Sequence, residues 1–161
     1  MAVANLCAAE PLMIARLRSL ITGSISAAQR DADADLDGLV IDSGSVLANA
    51  ADVARYCPAA FIMPGENEPF DRDDSGSVQA ESQGWAVVIC VAHYRDPTGL
   101  TTTAYTAGAY IAQVIQALIG WAPGDGFMPF VLSGRSAPYY EPGYAEFPVL
   151  FETVQVLEAT A

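Results

Sequence analysis

The chain has 161 residues, 52% of them hydrophobic and 16% charged, a length and balance that suit one folded domain and exclude a disordered polymer. Nineteen acidic residues stand against seven basic ones, for a net charge of −12, and all seven bases are arginines. Binding of nucleic acid through a basic patch is thereby excluded, as are a P-loop lysine and a Schiff-base lysine.

Met13, Ile14, Leu17, Leu20 and Ile21 recur at helical spacing with Arg16 and Arg18 turned away; Pro11 suits the first turn and Gly23 the exit. From residue 24 to 42 the pattern is weak, with a short strand near Ile25 and then an Asp-rich run. Residues 46–56 are alanine-rich and predict a short helix; residues 59–63 predict a strand ended by Pro64-Gly65. The stretch 65–77, GENEPFDRDDSGS, is the most polar of the chain and reads as an exposed loop. Residues 85–94, WAVVICVAHY, are apolar on both alternate faces, the mark of a central strand covered on two sides. Thr102 or Thr103 caps the next helix, whose stripe is Ala107, Ile111, Val114, Ile115 and Leu118, and Gly120 and Pro123 stop it. Two further strands follow, at about 127–133 and 144–156, joined by a proline-rich connection at 134–143. The order predicts one α+β domain over residues 1–161, a mostly antiparallel sheet of four to five strands with two main helices packed on it.

Residues 1–10 lack a positive n-region and a long apolar core, so no signal peptide is expected, and the apolar run 109–122 is too short for a membrane span and carries Gln113 and Gln116. Cys7, Cys57 and Cys90 are odd in number and widely spaced, which fits buried thiols in a reducing cytoplasm better than a disulfide framework.

Asp33, Asp35 and Asp37 with Gly38 and Val40 match the start of a calcium loop, yet the twelfth position, where a bidentate Glu belongs, is Gly44. A second near-match, Asp71-x-Asp73-x-Ser75-Gly76, reaches Ser82 at that position. Both read as acidic surface. Cys90 and His93 have zinc-like C-x-x-H spacing, but residues three apart on a strand point to opposite faces. His93 is the single imidazole, and no G-x-S-x-G elbow is present; Gly134-Arg-Ser136 only approaches one. No nucleophile–base–orienter set emerges, so neither an enzyme nor a cofactor nor a metal is expected. Tyr139, Tyr140 and Tyr144 flank a turn between strands, where they either pack the sheet end or anchor an interface.

Gly84-Trp85 opening a hydrophobic strand that ends His93-Tyr94-Arg95-Asp96, Ala107-Gly108-x-Tyr110 in the helix, Ala117-Leu118-x-Gly120-Trp121-x-Pro123 after it, and the closing strand from Phe147 to Thr153 together resemble the tail terminator (tail-completion) proteins of long-tailed, Mu-like and related bacteriophages. The resemblance spans roughly residues 77–156. It implies a small α+β protomer with a twisted sheet that assembles as a hexameric ring, caps the head-proximal end of the tail tube and halts its polymerisation. Implied partners are further copies of the chain, the tail tube protein and a head-completion or connector protein, with genomic DNA passing through unbound, no membrane, and a place at the head–tail junction of a virion assembled in the host cytoplasm. The polar stretch 65–77 is too long for a simple hairpin and is expected to order on the tube or a neighbouring subunit, with Glu66, Phe70, Asp71, Arg72, Asp73 and Asp74 as contacts; Arg95 and Asp96 form a candidate subunit ion pair, and Tyr139 and Tyr140 candidate anchors. The alternatives are another head–tail connector or minor tail protein, and, from another class, a small calcium-binding module or hydrolase.

Overall fold

A computed structural model of the chain describes residues 5–72, 74–93 and 102–158, with the backbone alone for residues 49 and 70–72. Helix α1 (Ala9–Leu20) buries Ala9, Met13 and Leu17, one stripe at four-residue spacing. Helix α2 (Ala27–Ala32) stands in the Asp-rich region. It is held by a capping box: the Ser26 hydroxyl accepts from the Gln29 backbone N–H at 3.1 Å, and the Gln29 side-chain oxygen accepts from the Ser26 N–H at 2.8 Å. Strand β1 (Val40–Ser43) follows, and Ile25, where a short strand was expected, makes a single parallel bridge to Val40. Two 3-10 helices, Gly44–Asn49 and Val53–Tyr56, replace the α-helix expected over 46–56. Ser43 and Asp52 accept from backbone N–H groups two residues on, which closes tight turns rather than α-helical ones.

Strand β2 (Ala59–Arg72) pairs in parallel with β1 and antiparallel with β3 (Val78–Ala92). The stretch 65–77 is therefore not a loop. Most of it is the outer half of a long hairpin, whose turn includes residues 74–77. Residues 64–69 are exposed. The arm is polar because solvent reaches it, so the apolar alternation that betrays a strand is missing there. Its ladder shifts register between Pro64 and Asn67 and between Pro69 and Asp71, and prolines are tolerated on such an edge strand. Gly84 lies opposite the first shift, where a Cβ would meet the Glu66 carbonyl oxygen at 2.8 Å; only glycine lets the backbones approach so closely.

Helix α3 (Thr103–Leu118) starts at Thr102, whose hydroxyl accepts from the Tyr105 N–H at 3.1 Å, and buries Ala107, Ile111, Val114, Ala117 and Leu118. Strands β4 (Val131–Arg135) and β5 (Tyr139–Glu141) pair one after the other with the same edge of β6 (Tyr144–Glu158). Phe127 makes an isolated bridge to Gln155, so the strand expected from 127 begins in earnest at Val131, and β5 lies in the segment expected to be a connection. The sheet has six strands in the order β1-β2-β3-β6-β4, with β5 beside β6.

Helices α1 and α3 cover one face of this mixed but mostly antiparallel sheet, where Met13, Leu17, Val114 and Leu118 meet Ile62, Trp85, Val87, Ile89, Val149 and Phe151. On the other face Val40, Phe61, Val88 and Cys90 pack against Ala27, Tyr56 and the 3-10 segments. Central β3 is accordingly buried without interruption from Val87 to Val91. Each large side chain so buried contributes about 1.5–3 kcal/mol. Along β6, buried and half-buried residues alternate, as a strand covered mainly on one face requires.

Candidate assembly surface

The two lateral ends of the sheet differ in charge. At the β1–β2 end lie Asp31, Asp33, Asp35, Asp37 and Asp42, and the hairpin sequence from Glu66 to Asp74 adds five more acids. At the β4–β5 end, residues 102–140 contain one carboxylate, Asp125, and one cation, Arg135, while Glu141 closes β5 and Glu146 and Glu152 stand on β6 opposite Tyr139 and Val131. Carboxylates are therefore denser at the first end than at the second.

The less acidic end is also apolar at its surface. Met128 is 56% exposed, Val131 55%, Tyr139 62% and Tyr140 61%, all on or beside the β4–β5 edge, and Tyr105 on α3 is exposed as well. Between α3 and this edge runs a groove of about 560 Å³ whose wall is Ala104, Gly108 and Ile111 and whose other side is Arg135, Ser136 and Pro138. Gly108 sits within the helix, where glycine costs about 0.5–1 kcal/mol relative to alanine, yet a Cβ there would meet nothing within 4 Å. Sequence reading missed the groove. Its signal was the absence of charge over 97–124, which the apolar helix stripe overshadowed.

Of the residues singled out in the sequence, Glu66 and Glu68 are exposed on the hairpin arm, and Asp74 is exposed in its turn. Phe70, Asp71 and Arg72 belong to β2 by their backbone; Asp73, Arg95 and Asp96 lie outside the described residues. Tyr139 and Tyr140 sit on β5, at the opposite end from the arm, so the two groups of candidate contacts are on different sides of the sheet. Tyr140 packs the sheet end, its ring stacked on His93 (centroids 6.2 Å apart) and edge-on to Phe147, while most of its surface stays exposed.

His93 lies just past β3, exposed, its Nε2 2.7 Å from the Glu141 carbonyl oxygen. Burial pushes the Cys57 thiol up to about 12 and raises that of Cys90 further, which keeps both protonated and unreactive at neutral pH. Burial, then the nearby Glu141, raise the Glu146 carboxyl above its ordinary range. Asp33, Asp35 and Asp37 are exposed, and the Asp33 carboxylate accepts the Asp35 N–H at 3.1 Å, a turn contact. Among the described residues no group of three His, Cys, Asp or Glu side chains is placed to hold a metal ion, and no helix is long and apolar enough to cross a membrane.

Arg30 is a buried cation held by carbonyls. Its guanidinium donates to the carbonyl oxygens of Arg55, Cys57 and Gly38 at 3.2, 3.0 and 2.9 Å, and so fastens α2 to the acidic end of the sheet. Beside it Asp31 accepts from Arg55 and from the Tyr56 hydroxyl.

No curated protein matches the chain. The sequence profile of the phage tail terminator protein matches residues 38–160, from the turn before β1 to beyond the end of β6, a longer stretch than the resemblance noted in the sequence. The chain therefore belongs to the phage tail terminator family, whose members are structural components of the virion tail.

Proposed function

We propose that the chain assembles as a ring, hexameric by resemblance to its family, that caps the head-proximal end of the tail tube, stops tube polymerisation and offers the head–tail joining surface to a head-completion or connector protein. The family match over residues 38–160 carries this reading. The uneven charge supports it: a ring needs a contact end where carboxylate repulsion between copies is low, and residues 102–140 carry a single carboxylate, Asp125. The remaining acids suit a wall that DNA passes without sticking. Six copies at −12 each carry on the order of −70 charges, screened over about 8–10 Å, and a lumen lined by some of them repels the phosphate backbone. In this reading the hairpin arm with Glu66, Glu68, Phe70, Asp71, Arg72, Asp73 and Asp74 contacts the tube or a neighbour, and Arg95 with Asp96 lies at a subunit boundary. The protein works without catalysis, as a structural part made in the host cytoplasm and carried in the virion.

The test is tube polymerisation from purified tail tube protein with and without this chain. Tubes of limited length bearing extra density at one end are expected. Tubes that grow on unchanged in its presence contradict the reading.

A further inference from the structure

We infer that the groove between α3 and the β4–β5 edge receives a second copy of the chain, which enters with the outer edge of its hairpin arm, so that Arg135 of one copy faces Glu66 and Glu68 of the next. This rests on the ring reading above and names the surfaces that close the ring. Three observations carry it.

The first is Gly108. A glycine inside a helix weakens it, and its missing Cβ relieves no crowding within the chain, since a Cβ would meet nothing within 4 Å. The space it leaves opens into the groove, where it lets an outside group approach the helix backbone. The second is charge. From Gly126 to Tyr140 the sole charged residue is Arg135, while the arm from Glu66 to Asp74 holds five acids against Arg72. Among the described residues Arg135, Glu66 and Glu68 have no hydrogen-bond or ion-pair partner, whereas Arg16, Arg18, Arg30 and Arg55 are all engaged. In a molecule of net charge −12, a groove whose one charged lining residue is Arg135 is a place where an acidic segment of another copy meets attraction. The third is placement. Groove and arm lie at opposite lateral ends of one sheet, so their union is head-to-tail. Such a contact propagates from copy to copy until the rotation closes a ring, whereas groove-to-groove contact stops at a dimer.

The occupant is the arm of a second copy; the tail tube is the rival that the experiment separates. Full-length protein is measured by size-exclusion chromatography with light scattering, alone and with tail tubes, alongside Gly108→Trp, Arg135→Glu and the double variant Glu66→Arg/Glu68→Arg. Thermal melts serve as the folding control. The wild-type chain gives an assembled species, a multiple of 16.9 kDa. Gly108→Trp and each charge variant lower the assembled fraction at least tenfold without lowering the melting temperature. An equimolar mixture of Arg135→Glu with Glu66→Arg/Glu68→Arg recovers assembly that neither shows alone, because each mixed junction again joins opposite charges. Assembly unchanged in Gly108→Trp, or no recovery in the mixture, overturns the inference. Variants that still form rings but no longer cap tubes overturn it too and assign the groove to the tube, with the ring reading intact. A wild-type chain that assembles neither alone nor on tubes removes the ring reading and this inference together.

Discussion

The two ends of the sheet are built to different rules. At the β1–β2 end a buried arginine, a capping box and an Asp31–Arg55–Tyr56 cluster fix short elements in place beneath a strongly acidic surface. At the β4–β5 end α3 and two short strands rest on an aromatic core of Trp121, Phe130 and Phe151, and the surface is less acidic, more apolar and grooved. At the acidic end Arg30 is spent on backbone carbonyls and Asp31 on Arg55 and Tyr56. The other end leaves apolar side chains exposed and, among the described residues, Arg135 without a partner. The difference teaches that one sheet carries two unlike surfaces, an acidic one at the hairpin arm and a more apolar one beside α3, which in the proposed ring meet each other.

The comparison breaks most severely in the core. Phe130→Ala removes a fully buried ring packed against Trp121 and Phe151 and lowers stability by about 3–5 kcal/mol in chemical denaturation. If the ends share one cooperative core, the acidic end unfolds in the same transition. Arg30→Ala strikes the other end: the carbonyls of Arg55, Cys57 and Gly38 lose their donor, at a cost of about 2–3 kcal/mol. Amide exchange in α2 and the 3-10 helices rises more than in α3.

Gly108→Ala has the opposite sign. With nothing within 4 Å of the new Cβ, the helix gains about 0.5–1 kcal/mol, and the melting temperature rises. Lowered stability there would mean that the groove wall is tighter than the geometry shows.

Glu146 gives the smallest effect. Its carboxyl is raised by burial and by Glu141, so the folded chain holds this proton more tightly than the unfolded one. Its contribution is fully present below the ordinary glutamate pKa and is lost as the pH rises through the raised value. Glu146→Gln is therefore more stable than the parent at pH 7, and the gap between their melting temperatures closes toward pH 4. An equal gap at both pH values would contradict the sign.

Much of this architecture was legible in the residues. The stripes of α1 and α3, the Thr102 cap and the doubly covered β3 follow from periods and caps that tertiary packing did not override. The hairpin arm was not, because a strand with solvent on its flanks carries no alternation and Pro64 and Pro69 imitate loop punctuation. Helix α2 was hidden by its neighbouring aspartates, although Ser26 and Gln29 spelled its capping box. Strand β5 was too short to show a period. For the contact surface, the tyrosines and the acidic stretch could be read directly. Their placement at opposite ends could not, since it depends on β6 returning between β3 and β4. The groove needed the third dimension entirely: Gly108 reads as an ordinary small residue of a helix until its surroundings are seen to be empty.

The central claim is that the chain ends a tail tube by assembling on it. The most direct measurement is electron microscopy of growing tail tubes to which the purified full-length chain has been added. Ring-shaped density at one end of each tube, with growth arrested there, is the predicted result. Tubes that elongate normally, or protein scattered along their sides with both ends bare, would contradict it.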